Sequence, residues 1–78
     1  MTSEGHMGPK EAFGKRLREI RLARGMSQEQ LAWEAGLDRT YVSSCERGAR
    51  NVGLENVHRL AKALEVLPGE LLKEPGQQ

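Results

Sequence analysis

The segment spanning residues 27–48 constrains the fold more than any other part of the chain. It begins with a helix start signal. The Ser27 hydroxyl can accept a hydrogen bond from the backbone N–H three residues later, while the Gln30 side chain reaches back to the cap. Gly36 stands where a helix of this length needs a left-handed residue at its end. The pattern therefore predicts a short helix followed by a tight turn.

A second short helix is predicted directly after this turn, with Asp38 as its N-cap. Val42 and Cys45 are three residues apart and form a narrow apolar stripe. The opposite face carries the polar residues Thr40, Ser43, Ser44 and Arg47. Arg39 and Tyr41 flank this face at the start of the helix. A helix that buries so little and displays so many hydrogen-bond donors is typical of a recognition helix.

The rest of the chain predicts a compact, all-α domain of five short helices over residues 9–73. The first helix begins near Pro9 and runs to about Arg24, and a close helix crossing would explain Gly14 within it. A fourth helix covers about Leu54–Glu65, and residues 70–73 can form a last helical turn. No segment has the alternating pattern of a strand. Residues 1–8 are expected to be a flexible leader, in part a cloning remnant, and residues 74–78 a tail.

Composition excludes several classes of protein. Seventy-eight residues with 37% hydrophobic side chains allow one small core. A single cysteine excludes an internal disulfide, and we interpret Cys45 as a core residue, with a reactive thiol as the alternative. Two distant histidines do not make a metal site, and we predict no cofactor. No membrane span or signal peptide is visible, so we expect a cytoplasmic protein.

Charge is distributed unevenly although its sum is only +1. Residues 10–24 contain six basic and two acidic side chains, and residues 39–51 contain three basic and one acidic. This distribution is compatible with a local phosphate-binding face. No phosphate loop, metal-binding pair or nucleophile with a nearby base indicates an enzyme.

Several side chains suit contacts with double-stranded DNA, although each alone could be an ordinary solvated residue. Arg39 can contact guanine through two hydrogen bonds, and Thr40 offers a hydroxyl and a methyl group to a base. Ser44 lies one turn further along the same face. Gln28 lies at a helix N-terminus suited to a phosphate. The residues that could hold the DNA backbone on either side are Tyr41, Ser43, Arg47, Arg50 and Asn51.

The segment resembles the Cro/CI-type helix-turn-helix regulators of phages and bacteria, whose domain is lambda-repressor-like. The similarity rests on Ser-Gln-Glu-Gln-Leu-Ala-x-x-Ala-Gly-Leu followed by Tyr-Val-Ser-x-x-Glu-Arg-Gly, and it extends over residues 12–73. The string from Leu37 to Ser43, with Glu46-Arg47 and Arg50-Asn51, further resembles the controller proteins of restriction–modification systems. This resemblance implies a transcription regulator that reads a palindromic operator as a homodimer.

Site residues follow from the resemblance at matching positions. It places the helix Asp38–Arg47 in the major groove and implies a structural ion pair between Arg21 and Glu46. The base-reading positions are Arg39, Thr40 and Ser44, with Tyr41 contacting base or backbone. The phosphate-contact positions are Gln28, Ser43, Arg47 and Asn51.

Partners other than DNA follow from less specific features. We expect Leu67, Leu71 and Leu72 to form the dimer interface, because they offer the chain's main apolar surface near its end. RNA polymerase is a further candidate partner, and the expected setting is the nucleoid of a bacterium or a phage-infected cell. Trp33 could pack across a helix, touch the DNA backbone or lie in a protein interface. The alternative function is an antitoxin-type interaction module with secondary DNA binding.

Overall fold

The computed structural model describes residues 7–76, and within that range it contains five helices and no strand. The helices are α1 (Pro9–Ala23), α2 (Gln28–Ala35), α3 (Arg39–Glu46), α4 (Leu54–Leu64) and α5 (Pro68–Leu71). The all-α prediction is confirmed. The last helix begins earlier than expected, because Pro68 occupies the first helical position, where its missing N–H costs nothing.

The turn between α2 and α3 follows the local signals in the sequence. The Ser27 hydroxyl accepts a hydrogen bond from the Gln30 backbone N–H at 2.9 Å, and Gly36 ends α2 with a φ of 69°. The Leu37 N–H then donates to the Ala32 carbonyl at 2.9 Å, which completes the helix end. The Gln30 side chain bonds Glu34 at 3.4 Å and does not return to the cap, so that half of the predicted capping box is wrong.

The start of α3 differs from expectation in one detail. Asp38 has the extended backbone of an N-cap residue, but its side chain makes no capping hydrogen bond. Its carboxylate instead accepts a hydrogen bond from the Thr40 hydroxyl at 3.2 Å. A local side-chain bond therefore replaces the usual cap.

The core lies where the five helices meet. Its fully buried side chains are Leu17 of α1, Leu31 of α2, Val42 and Cys45 of α3, Leu60 and Leu64 of α4, and Leu71 of α5. Burial raises the pKa of the Cys45 thiol above its ordinary value, despite smaller opposite effects of Tyr41 and Arg50. Cys45 therefore lies in the core as a neutral thiol, as predicted.

α1 and α3 cross in close contact at Gly14. A Cβ atom on Gly14 would clash with the Cys45 carbonyl oxygen and lie 2.7 Å from the Glu46 carbonyl oxygen. Only a residue without a side chain allows the end of α3 to approach α1 this closely. The crossing that the sequence suggested thus fixes where α3 ends.

The chain ends are described in part. Residues 1–6 of the predicted leader and residues 77–78 of the predicted tail lie outside the described residues. The backbone N–H of Gly76 donates to the Glu19 carboxylate at 2.9 Å, so this part of the tail contacts α1. None of the five helices is long and apolar enough to span a membrane, and residues 7–76 contain no cluster of three potential metal ligands.

Candidate nucleic-acid interface

The outer side of α3 presents a polar surface that we call the reading face, formed by Arg39, Thr40, Ser43 and Arg47. Arg39, Thr40 and Arg47 are exposed, and Ser43 is half-buried. Arg47 Nη1 donates to Ser43 Oγ at 2.8 Å, one helical turn earlier. The guanidinium of Arg39 has no hydrogen-bond or ion-pair partner within residues 7–76. The reading face therefore has donors available to an external ligand.

Thr40 is oriented by its neighbour Asp38. Because its hydroxyl donates to the Asp38 carboxylate, the oxygen's lone pairs and the methyl group remain for other contacts. In the major groove these groups fit the amino groups of cytosine or adenine and the methyl group of thymine. The geometry thus presents Thr40 as a hydrogen-bond acceptor.

Ser44 does not lie on the reading face, and its predicted exposed position is wrong. Its side chain is only 6% exposed. Its hydroxyl donates to the Tyr41 carbonyl at 2.8 Å and accepts from Arg50 Nε at 3.0 Å. Helical periodicity placed Ser44 opposite the apolar stripe, but the loop after α3 folds back and covers it.

Tyr41, Ser44, Arg50 and Asn56 form a connected group that we call the tyrosine cluster. The Arg50 guanidinium lies 5.2 Å from the centre of the Tyr41 ring, within range of a cation–π contact. The Tyr41 hydroxyl accepts a hydrogen bond from Asn56 Nδ2 at 3.0 Å. No sequence pattern points to Asn56, because it lies on α4, 15 residues from its partner.

The end of α3 is fixed by a buried ion pair. Arg21 Nε donates to Glu46 Oε2 at 2.6 Å and Arg21 Nη2 to Glu46 Oε1 at 3.0 Å, so the two implied partners are in contact. Their side chains are only 7% and 4% exposed. Arg21 also donates to the Met26 carbonyl at 2.8 Å. One residue of α1 therefore holds both α3 and the segment that leads into α2.

Gln28 belongs to the same network. Its Nε2 donates to Glu46 Oε1 at 3.0 Å, which orients the amide at the N-terminus of α2 and leaves its second N–H for another acceptor. Arg50 and Asn51 are exposed in the loop after α3. The predicted phosphate contacts thus come from α2, α3 and this loop.

Arg16 does not contribute to a basic surface, although it was counted in the basic stretch 10–24. It is 8% exposed, and its Nε donates to the Glu70 carbonyl at 2.7 Å. Its Nη2 also donates to the Glu70 carboxylate at 3.2 Å. Arg16 therefore connects α1 to α5.

Comparison with known proteins identifies the family to which this chain belongs. A family profile described as "Helix-turn-helix domain" matches residues 12–74. The control protein C.BamHI of Bacillus amyloliquefaciens is 54% identical over 61 residues, which cover 77% of this chain and 75% of that protein. The chain belongs to the helix-turn-helix controller proteins.

Two other members support this assignment. The control protein C.SmaI of Serratia marcescens is 44% identical over 70 residues, covering 90% of this chain and 83% of that protein. The crystal structure of the restriction–modification controller protein C.AhdI from Aeromonas hydrophila superposes with a TM-score of 0.77 at 57% identity. That alignment covers 78% of this chain and 92% of the other. The family consists of DNA-binding transcription regulators, as the resemblance implied.

The apolar residues of this controller-family chain divide into buried and exposed positions. Leu71 is fully buried, so its prediction as a surface residue of a dimer interface is wrong: it fills the core beneath α5. Leu67 and Leu72 are 74% and 66% exposed. Trp33 is 84% exposed, which excludes packing across a neighbouring helix.

Proposed function

We propose that this protein is a sequence-specific regulator that binds a palindromic DNA operator as a homodimer and controls a restriction–modification system. One observation carries this proposal. The start of α3 presents Arg39 without a partner among residues 7–76, while the end of α3 is fixed by the buried Arg21–Glu46 pair. A rigid helix with available donors at its first turn suits insertion into the major groove.

Base recognition is assigned to the first turn of α3. Arg39 would contact guanine O6 and N7, and Thr40 would accept from a base amino group or contact a thymine methyl. Tyr41 lies beside them as a hydrogen-bond donor. Ser44 is not among these residues, because its hydroxyl is buried and bonded to Tyr41 and Arg50.

Phosphate contacts surround this turn and would provide much of the affinity. The proposed residues are Gln28, Ser43, Arg47, Arg50 and Asn51. They lie on three successive segments, so they would hold the DNA backbone on both sides of α3. Neutralising phosphates releases counterions, so we expect binding to weaken steeply as salt rises.

Regulation would follow from occupancy of the operator. Binding over a promoter excludes RNA polymerase, and binding beside a promoter can recruit it. Both modes place the protein in the cytoplasm with the DNA. Trp33 is an exposed apolar group that could serve the second mode.

Substitution of Arg39 tests base reading. Arg39→Ala should weaken binding to the selected operator by about 1–3 kcal/mol and relax the preference at one base pair. The operator is first selected from a random pool of duplexes with the wild-type protein. Titrations then compare that duplex, its single-base-pair variants and a scrambled duplex.

Arg18→Ala is the matched control, because it removes the same charge from an exposed position on α1. It should weaken binding less and leave the base preference unchanged. Equal losses for Arg39→Ala on the selected and scrambled duplexes would contradict base reading by Arg39.

The homodimer is assigned to the surface formed by Leu67 and Leu72. Leu72→Glu places a charge in this surface and should shift the protein from dimer to monomer in sedimentation equilibrium. Leu54→Glu is the control, since Leu54 is 77% exposed at the start of α4. A wild-type monomer, or a dimer unaffected by Leu72→Glu, would refute this interface.

A further inference from the structure

We propose that Asn56 is a positioning residue for DNA recognition, which holds the Tyr41 hydroxyl so that its proton points to an acceptor on the DNA. This inference rests on the proposed function and assigns a role in DNA binding to a residue of α4, outside the helix-turn-helix. The acceptor is a base atom such as guanine O6 or thymine O4, or a phosphate oxygen. Each of these three oxygens can accept a hydrogen bond from the phenolic hydroxyl.

The direction of one hydrogen bond carries the argument. Asn56 Nδ2 donates to the Tyr41 hydroxyl at 3.0 Å. A phenolic hydroxyl has one proton and two lone pairs, so accepting from Asn56 leaves the proton free to donate elsewhere. Both residues are half-buried, so neither is enclosed in the core. DNA in the major groove and along its backbone is rich in acceptors.

The other neighbours of Tyr41 are no strong acceptors for this proton. The Arg50 guanidinium over the ring has only donors. The Cys45 thiol interacts with the Tyr41 side chain, which opposes the rise in the thiol's pKa, but burial has the larger effect and keeps the thiol neutral. A neutral thiol is a weak acceptor compared with a DNA oxygen. The proton is therefore available when DNA approaches.

The ring is held in place on two sides. Arg50 covers its face while Arg50 Nε donates to Ser44 Oγ at 3.0 Å, and Ser44 is itself bonded to the Tyr41 carbonyl. Asn56 fixes the far end of the ring. Little conformational freedom remains for Tyr41 to lose on binding, which favours affinity and a single contact geometry.

The test is a double-mutant cycle on Tyr41 and Asn56. Wild type first selects a duplex from a random pool, and Tyr41→Phe, Asn56→Ala, Asn56→Asp and each Asn56 change combined with Tyr41→Phe are titrated against it. Single-base-pair variants of that duplex and a scrambled duplex are titrated in parallel. Asn56→Asp keeps the shape of the side chain but replaces its donor with an acceptor for the phenolic proton.

We expect Tyr41→Phe to weaken binding about 2- to 10-fold, the effect of one hydrogen bond. Asn56→Asp should weaken binding by the same factor, after correction for the effect of its added charge. The control His58→Asp gives this correction, because it adds a carboxylate at an exposed position on the same helix. The affinity of Asn56→Ala for the selected duplex should lie between those of wild type and Asn56→Asp. In the Tyr41→Phe background, and after the same charge correction, neither Asn56 change should weaken binding further.

The cycle separates the possible outcomes. Loss confined to one base pair identifies a base acceptor, and equal loss on every duplex identifies a phosphate; both support the proposal. Asn56→Asp binding like wild type, or Asn56 effects that persist with Phe at position 41, would overturn it. If the wild type selects no duplex, the proposed function fails as well. Unchanged melting temperatures would show that folding does not cause the losses.

Discussion

Two arginines of α1 contact glutamates of other helices, but in different surroundings. Arg21 binds Glu46 at the end of α3, where both side chains are at least nine-tenths buried. Arg16 binds Glu70 of α5, whose side chain is 36% exposed. Both pairs join a guanidinium to a carboxylate, but the Arg21–Glu46 pair has two hydrogen bonds and is shielded from solvent, whereas the Arg16–Glu70 pair has one and is partly open.

This difference predicts which of the two ion pairs can be removed with little loss of stability. A buried charge without its partner is costly, because no water replaces the lost contact. In the other pair, Glu70 is half-exposed and regains water when the pair is broken, and Arg16 keeps further hydrogen-bond partners although it is buried. The Arg21–Glu46 contact at the end of α3 should therefore be essential for folding, and the Arg16–Glu70 contact at α5 dispensable.

Removal of Glu46 should have the largest effect. Glu46→Ala leaves the Arg21 guanidinium buried, with the Met26 carbonyl as a remaining partner, and should lower the free energy of unfolding by about 3–5 kcal/mol. Urea unfolding followed by circular dichroism measures this loss. Because a domain of this size has only about 5–15 kcal/mol of stability, the variant would be close to unfolding.

Glu34→Ala is the control for this measurement, since Glu34 is an exposed acid of α2. It should change stability by less than about 0.5 kcal/mol. An unfolding curve for Glu46→Ala that matches the control would show that the buried pair adds nothing to stability.

Removal of Glu70 should have the smallest effect. After Glu70→Ala, Arg16 keeps the backbone carbonyl of residue 70 and the Glu19 carboxylate as partners. The loss should be about 0–1 kcal/mol and should shrink in high salt, which screens exposed charges. Urea unfolding at two salt concentrations checks both statements. A loss as large as that of Glu46→Ala would remove the contrast between the two arginines.

Local signals made the helix-turn-helix predictable. The start of α2 at Ser27 and its end at Gly36 depend on hydrogen bonds within a few residues, and the structure has both. The core position of Cys45 followed from the spacing of apolar residues on α3. The contact between Arg21 and Glu46 was predicted from the family resemblance, because no local sequence rule links two residues so far apart.

Contacts between distant segments could not be predicted. The burial of Ser44 depends on how the loop carrying Arg50 returns to α3, and the burial of Leu71 on how α5 packs onto the core. Arg16 was counted as a surface charge because its partner is 54 residues away. Helical periodicity assigns a residue to a face, but other segments determine whether that face is covered.

Glu46 contacts Arg21 and Gln28 together, so the end of α3 and the N-terminus of α2 share one anchor. Within residues 7–76, this anchor directly connects the parts of the protein that would contact the base pairs and the DNA backbone. On the proposed function, any mismatch between this fixed arrangement and undistorted DNA would be accommodated by bending or twisting of the operator. The cost of that deformation depends on sequence, so base pairs that the protein never touches should contribute to operator choice.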